Sequence, residues 1–173
     1  MKKLFILFCS LAVATVLHAQ VIKINILSPI VRTLNVQYEQ ALSGTSSFQL
    51  GFFYTGYEED GDRFSGFGIT PEYRFYLSET EAPEGVYIAP FLRYQSLKLE
   101  DDFGSKGTYS GFGGGLILGK QWIFKEKVVL DVFIGPSYSS GTVKIESGSG
   151  DNLGADVFDG FGLRTGLCFG LRL

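Results

Sequence analysis

The sequence predicts an all-β protein: an eight-stranded antiparallel up-and-down barrel that crosses a membrane, preceded by a signal peptide. Three observations predict it. First, residues 161–173 alternate strictly, with Phe161, Leu163, Thr165, Leu167, Phe169, Leu171 and Leu173 on one face and Gly162, Arg164, Gly166, Cys168, Gly170 and Arg172 on the other. A helix would spread those arginines around its surface, and a strand buried on both faces would not carry them. Second, the same apolar-against-polar alternation recurs along the chain in segments of roughly ten residues, the length of a membrane-crossing strand. Third, the chain holds 23 glycines, too many for a helical protein, and nothing after the first twenty residues is apolar for long enough to cross a membrane as a helix.

Those first residues read as an export signal and not as fold. Lys2 and Lys3 form a basic start, residues 4–17 an apolar core, and Ala19-Gln20 a cleavage point. The expected division is a signal peptide over 1–19 and a barrel domain over 20–173. Phe8 before Cys9 is too bulky for a lipoprotein cleavage site, so lipid anchoring is not expected. Export removes His18 and Cys9, leaving no histidine and a single cysteine, Cys168, which excludes an intramolecular disulfide. Losing Lys2 and Lys3 takes the basic count from 15 to 13 against 18 acids, a net charge of −5. An acidic exported chain is a poor partner for nucleic acid.

In chain order, Ile22, Ile24 and Ile26 mark a short first strand, broken at Ser28-Pro29 because proline cannot donate to a central ladder. Leu34, Val36 and Tyr38 mark the second strand, and Phe48, Leu50, Phe52 and Tyr54 the third. The fourth sets Phe67, Ile69, Pro71, Tyr73, Phe75 and Leu77 against Gly68, Thr70, Glu72, Arg74 and Tyr76. The fifth carries Ile88, Pro90, Leu92 and Tyr94 against Tyr87, Ala89, Phe91, Arg93 and Gln95; Leu97 and Leu99 then fall on the other face, as a bulge or the membrane boundary would produce. In the sixth, Phe112, Leu116, Leu118, Trp122 and Phe124 oppose a glycine-rich face, and Lys120 must snorkel from the apolar side. Val128, Leu130, Val132, Ile134, Pro136 and Tyr138 mark the seventh, and the closing stretch is the eighth.

Connections 43–47, 78–85 and 125–127 are short; 58–66, 99–110 and 141–160 are long and hold most of the acids, while 29–32 is a short exception. That asymmetry is the one between periplasmic turns and extracellular loops. A last strand running to the final residue suits closure onto the first strand, and its Arg164-x-Gly166-x-x-Phe169-x-Leu171 run resembles the signal read by barrel-insertion machinery, although it ends on Leu173 where an aromatic is usual.

Lys23-x-Asn25, Asn35-x-x-x-Glu39, Pro71-Glu72-Tyr73-Arg74 and Gly119-Lys120-Gln121-Trp122 together resemble a small outer-membrane β-barrel family known from sequence as a domain of unknown function. Its wider class includes the OmpA and OmpX type barrels. The chain departs from the family in having Phe75-Tyr76 where a tyrosine-tryptophan pair is frequent. The resemblance implies an integral outer-membrane protein and assigns no activity.

The candidate site is a polar network inside the barrel: Lys23, Glu39, Glu72, Arg74, Arg93, Asp131, Arg164 and Arg172 all fall on inward positions. An eight-stranded barrel is just wide enough for side chains to fill, and buried charges must pair or cost several kcal/mol each. The network is therefore expected to be structural, with a proton or ion relay as the sharper alternative; Arg164 is expected to meet a carboxylate of Glu39, Glu72 or Asp131. Without histidine there is no ordinary base to activate a serine or aspartate, so no enzyme activity is expected. Cys168 reads as a small core residue. No motif calls for a cofactor or a structural metal. Acidic clusters at 58–62 and 100–102 could bridge Ca²⁺ or Mg²⁺ to lipopolysaccharide phosphates, but neither has calcium-loop spacing, and a solvated loop is the plainer reading. Ser147-Gly148-Ser149-Gly150 reads as a loop tip where a surface partner would bind.

The expected function is a non-enzymatic outer-membrane barrel, in contact with outer-membrane lipids and lipopolysaccharide, with a structural or surface-interaction role. One alternative is a carrier of small hydrophobic molecules, with Phe53, Tyr87, Phe91 and Phe133 lining an upper lumen. Another is a soluble periplasmic barrel of lipocalin type, whose aliphatic faces would form the core.

Overall fold

The computed structural model describes residues 20–59, 62–100, 104–148 and 159–173; the expected signal peptide lies outside them, as do Ser149 and Gly150 of the expected loop tip. Eight strands close into one antiparallel barrel in chain order: β1 (Gln20–Asn25), β2 (Thr33–Ser43), β3 (Ser46–Glu59), β4 (Asp62–Tyr76), β5 (Gly85–Glu100), β6 (Lys106–Phe124), β7 (Val128–Ser147) and β8 (Gly160–Arg172). The seam is β1 against β8, from Val21 opposite Arg172 to Asn25 opposite Cys168. A 3-10 turn over Ser28–Val31 joins β1 to β2 where proline ends the ladder.

At the short-turn end, β6 passes to β7 through Lys125 and Glu126, both at positive φ (50° and 62°). Two left-handed residues make the turn whose twist matches a tight hairpin. The β4–β5 turn folds across this end: Ala82 N donates to Gly44 O at 2.8 Å, and the Pro83 carbonyl accepts from Gln121 Nε2 at 2.5 Å.

The strands continue well past the stretches expected from hydrophobic alternation. β3 reaches Glu59, β5 reaches Glu100, β6 starts at Lys106 and β7 runs to Ser147, so much of the three expected long loops is ladder. The cause is a change of surroundings along the same strand. Below Tyr94, Phe112 and Tyr138 the outward positions are apolar; above them they are Ser96, Lys98, Ser110, Thr108, Ser140, Thr142 and Lys144. Polar outward residues look like loop in a sequence, yet a paired ladder persists in water as readily as in lipid.

Leu97 and Leu99 belong to this upper sleeve. The β5–β6 register runs unbroken from Gly85 opposite Gln121 to Glu100 opposite Lys106, so there is no bulge and no slip. The two leucines turn inward and pack with Tyr109, against Phe64 and Val143. The bulge is therefore ruled out, and the inward turn of Leu97 and Leu99 accompanies outward positions that become polar.

The outward face is the reverse of a water-soluble surface. Phe161 is 90% exposed, Phe112 72% and Leu92 68%, and Phe52, Leu118, Ile134 and Leu171 are exposed with them. Along β4 and β7 the apolar outward run covers 67–75 and 128–138, matching the roughly 9–11 residues with which a tilted strand crosses a bilayer. Aromatic pairs mark its two borders: Tyr94 with Phe112 at 4.9 Å and Tyr138 with Phe161 at 5.1 Å above, Tyr73 with Phe75 at 4.8 Å below. Such girdles are typical of membrane barrels. Lys120 stands exposed in the lower border with Nζ 5.0 Å from the Trp122 ring, the snorkelling its position requires.

Candidate functional site: the ionic interior

The pleat sends alternate residues of every strand into the lumen, and those positions carry the charge. Lys23 on β1 is 0% exposed. Its Nζ donates to Glu39 Oε2 at 2.7 Å, Gln121 Oε1 at 2.6 Å and Asp131 Oδ2 at 2.9 Å, which uses all three of its protons. Arg74 on β4 meets the same groups from the other side: Nη1 lies 2.9 Å from Asp131 Oδ2 and 3.4 Å from Glu39 Oε2, while Nε donates to Glu72 Oε1 at 2.6 Å. The guanidinium lies 4.1 Å from the centre of the Tyr87 ring.

Hydroxyls and amides complete the carboxylate shells. Glu39 Oε1 accepts from Ser47 Oγ at 2.5 Å and Tyr76 Oη at 2.6 Å. Asp131 Oδ1 accepts from Tyr87 Oη at 2.8 Å. Glu72 links this cluster to the upper lumen, because its second oxygen, Oε2, accepts from Arg164 Nη1 at 2.8 Å. Of the carboxylates expected to meet Arg164, Glu72 is the one in contact. Two buried polar atoms have no partner among the described residues, Gln49 Oε1 and Arg74 Nη2, and both belong to residues that touch Glu72.

Six of the eight expected residues are thus brought together: Lys23, Glu39, Glu72, Arg74, Asp131 and Arg164. Arg93 faces the lumen, but its contacts are the Thr70 hydroxyl, 3.3 Å from Nε, and the Phe53 ring, 5.6 Å away. Arg172 is a correction. It has the inward parity, yet it sits exposed at the rim, because β8 reaches the end of the barrel there and the lumen stops. Alternation fixes a side, and height in the barrel decides burial.

Sequence reasoning missed Gln121, Tyr76, Tyr87, Gln49 and Ser47, which supply the neutral hydrogen bonds. They lie on the inward parity beside the charged residues, so the same alternation could have found them. Cys168 is fully buried with Sγ 3.6 Å from Gln37 Oε1, a core position. In the expected cation clusters, Glu58 Oε1 pairs with Arg63 at 2.8 Å and Glu100 Oε1 with Lys106 at 2.9 Å; Asp60, Asp101 and Asp102 lie outside the described residues.

Two alternatives meet geometry that opposes them. In a lipocalin-type barrel the aliphatic faces would be the core, whereas here they point out and the charges point in. The aromatic rings assigned to a carrier's lumen are occupied by cations: Tyr87 by Arg74, Phe53 by Arg93, and Phe91 and Phe133 by Arg164 at 4.4 and 4.9 Å. Cation–π stacking of this kind leaves little free apolar face for a hydrophobic ligand.

A closed eight-stranded barrel with an ionic interior and an apolar, aromatic-bordered exterior is a small membrane β-barrel. The chain belongs to the family described as protein of unknown function (DUF3575), which matches residues 4–145. Among solved structures it is similar to Ail, the attachment invasion locus protein of Yersinia pestis, at 17% identity, with 90% of this chain and 99% of that chain covered and a TM-score of 0.49. It is also similar to a major outer membrane protein from Thermus thermophilus at 14% identity, with 90% and 98% covered and a TM-score of 0.48. No curated protein sequence matches the chain.

Proposed function

We propose that this protein is a non-enzymatic integral outer-membrane barrel whose lower lumen is an ionic plug and whose surface role is carried by the sleeve above the lipid belt. The observation that carries this reading is the inversion of polarity. Lys23, Glu39, Arg74 and Asp131 are fully buried while Phe161, Phe112 and Leu163 stand open. An apolar surface of this extent in water would exceed anything a soluble monomer keeps exposed, whereas lipid makes it favourable.

The plug argues against conduction and against acid–base work. Each carboxylate is held between cations and hydroxyl or amide donors, so none is left to handle a substrate proton. The β1–β8 seam is the joint that barrel-insertion machinery would close, and lipopolysaccharide and other outer-membrane lipids would cover the belt.

Fractionation with heat-modifiable gel mobility tests the reading. Recovery in the outer membrane, with a folded band that shifts on boiling, is expected; recovery in the soluble periplasm would overturn it. In planar bilayers the plug predicts no steady conductance.

A further inference from the structure

Above the plug, the lumen carries more positive charge than its carboxylates balance. Among the described inward side chains that are shielded from the rim, Lys23, Arg74, Arg93 and Arg164 face only Glu39, Glu72 and Asp131. Those three carboxylates are committed: Glu39 and Asp131 to Lys23 and Arg74, Glu72 to Arg74 and Arg164. Among the described residues, Arg93 has no carboxylate within salt-bridge reach; it has the Thr70 hydroxyl and the Phe53 ring. A guanidinium inside a narrow lumen without a counter-charge is costly, and an anionic ligand would relieve that cost.

The wall that runs from Arg93 through the neighbouring strands β6, β7 and β8 carries only small side chains. The register places Arg93 opposite Gly113, Gly113 opposite Ser139, and Ser139 opposite Gly160. The next row below runs Phe91, Gly115, Ser137, Gly162. A methyl group added at Gly160 would find nothing within 4 Å, and at Gly162 only Ser137 Oγ at 3.2 Å. Along these two rows β6, β7 and β8 carry no side chain larger than serine, and since a methyl group at Gly113 or Gly115 would run into Ser139 or Phe91, the room lies at the β8 end. The room that remains lies beside Gly160 and Gly162 on β8, the strand that also carries Arg164, with the Ser137 and Ser139 hydroxyls on the neighbouring strand β7.

We propose that this upper lumen is a binding site for a small oxyanion of the phosphate or sulfate type, held by Arg93 and Arg164 with the hydroxyls of Thr70, Ser137 and Ser139. Guanidinium forks match the oxygens of a tetrahedral anion, and charge-assisted bonds of this kind are stronger than neutral ones. Arg164 bonds Glu72 through Nη1 alone. The stacked rings of Phe91 and Phe133 hold it rigid, so little ordering cost remains for the ligand. The site is independent of the membrane reading, since it rests only on the lumen.

The test is the melting midpoint of the purified barrel in neutral detergent, followed by gel mobility, with sodium phosphate, sulfate or chloride added at matched ionic strength. A ligand that binds only the folded state raises the midpoint saturably with concentration. Phosphate or sulfate is expected to do so beyond chloride, and Arg93→Gln is expected to abolish the difference while Lys98→Gln, on the outer face of the sleeve, keeps it. Arg93→Lys, which keeps the charge and loses the fork, is expected to weaken the half-saturating concentration at least tenfold and carries the test if Arg93→Gln does not fold. No difference between the oxyanions and chloride in the unaltered protein would overturn the proposal. So would an oxyanion response that Arg93→Gln or Arg93→Lys leaves unchanged.

Discussion

Lys23 on β1 and Arg74 on β4 donate to the same oxygen of Asp131, Oδ2, each at 2.9 Å. Two cations from opposite sides of the barrel share one acceptor, which ties β1, β4 and β7 together through a single atom. Such an arrangement survives in a low-dielectric interior only because Glu39 and Glu72 balance the remaining charge.

Glu72 joins the plug to the upper lumen, so its loss strips a partner from both Arg74 and Arg164. Glu72→Ala should destabilise the barrel by about 3–5 kcal/mol, the cost of breaking a buried pair by removing one side. Glu79→Ala in the exposed turn should leave stability unchanged. Urea titration of the two variants, read by heat-modifiable mobility, checks this; equal midpoints would remove Glu72 from any buried network.

A methyl group at Gly119 would collide with the ring of Tyr87, whose hydroxyl bonds Asp131 and whose face carries Arg74. Gly119→Ala should therefore cost about 1–3 kcal/mol by overpacking. Gly44→Ala, with nothing within 4 Å of the new atom, should be neutral. The same unfolding measurement separates them, and a neutral Gly119→Ala would show that Tyr87 is free to move.

Ile134 points outward in the middle of β7, paired with Leu118 and Thr165. Ile134→Arg should cost roughly 2–4 kcal/mol in a bilayer, while Thr142→Arg, on the same face of the same strand above the aromatic border, should cost about 0–1 kcal/mol. Folding titrations in lipid vesicles provide the comparison. Similar costs at the two positions would mean that the belt is misplaced.

Tyr109 lies in the sleeve above the belt, 1% exposed, with Oη donating to Asp159 Oδ1 at 2.7 Å. Burial, and then that hydrogen bond, push its pKa from the usual 10 up to about 12. A raised pKa means that the folded state holds the proton more tightly. The resulting stabilisation is complete below about pH 10 and disappears as pH rises through about 12. The tyrosinate absorbance of the unaltered protein minus that of Tyr109→Phe should show one group ionising near that upper value. A difference curve centred near 10 would show the ring to be solvated.

Much of the fold was readable because a strand's side chains alternate with a period of two, so one slip would turn every apolar residue inward. That single rule placed Arg164 and Glu72 on the inner face and Phe161 and Leu163 on the outer one. It could not separate inside from buried, which is why Arg172 was grouped with residues that lie far from the rim. It also stopped where the surroundings changed: the expected loop 99–110 holds residues 99–100 and 106–110, which are fully paired.

Alternation and glycine content determined by themselves that this chain is an all-β barrel, and the placement of charge favoured its apolar face out; the closed structure decided that against a lipocalin-type barrel. Which cation meets which carboxylate was decided only by tertiary structure. Lys23 and Asp131 are separated by 108 positions and Glu72 and Arg164 by 92, and only the closed ring and its register bring them to one height. The excess guanidinium at Arg93, at the head of a row of glycine and serine contributed by three neighbouring strands, becomes visible only once that ring is closed.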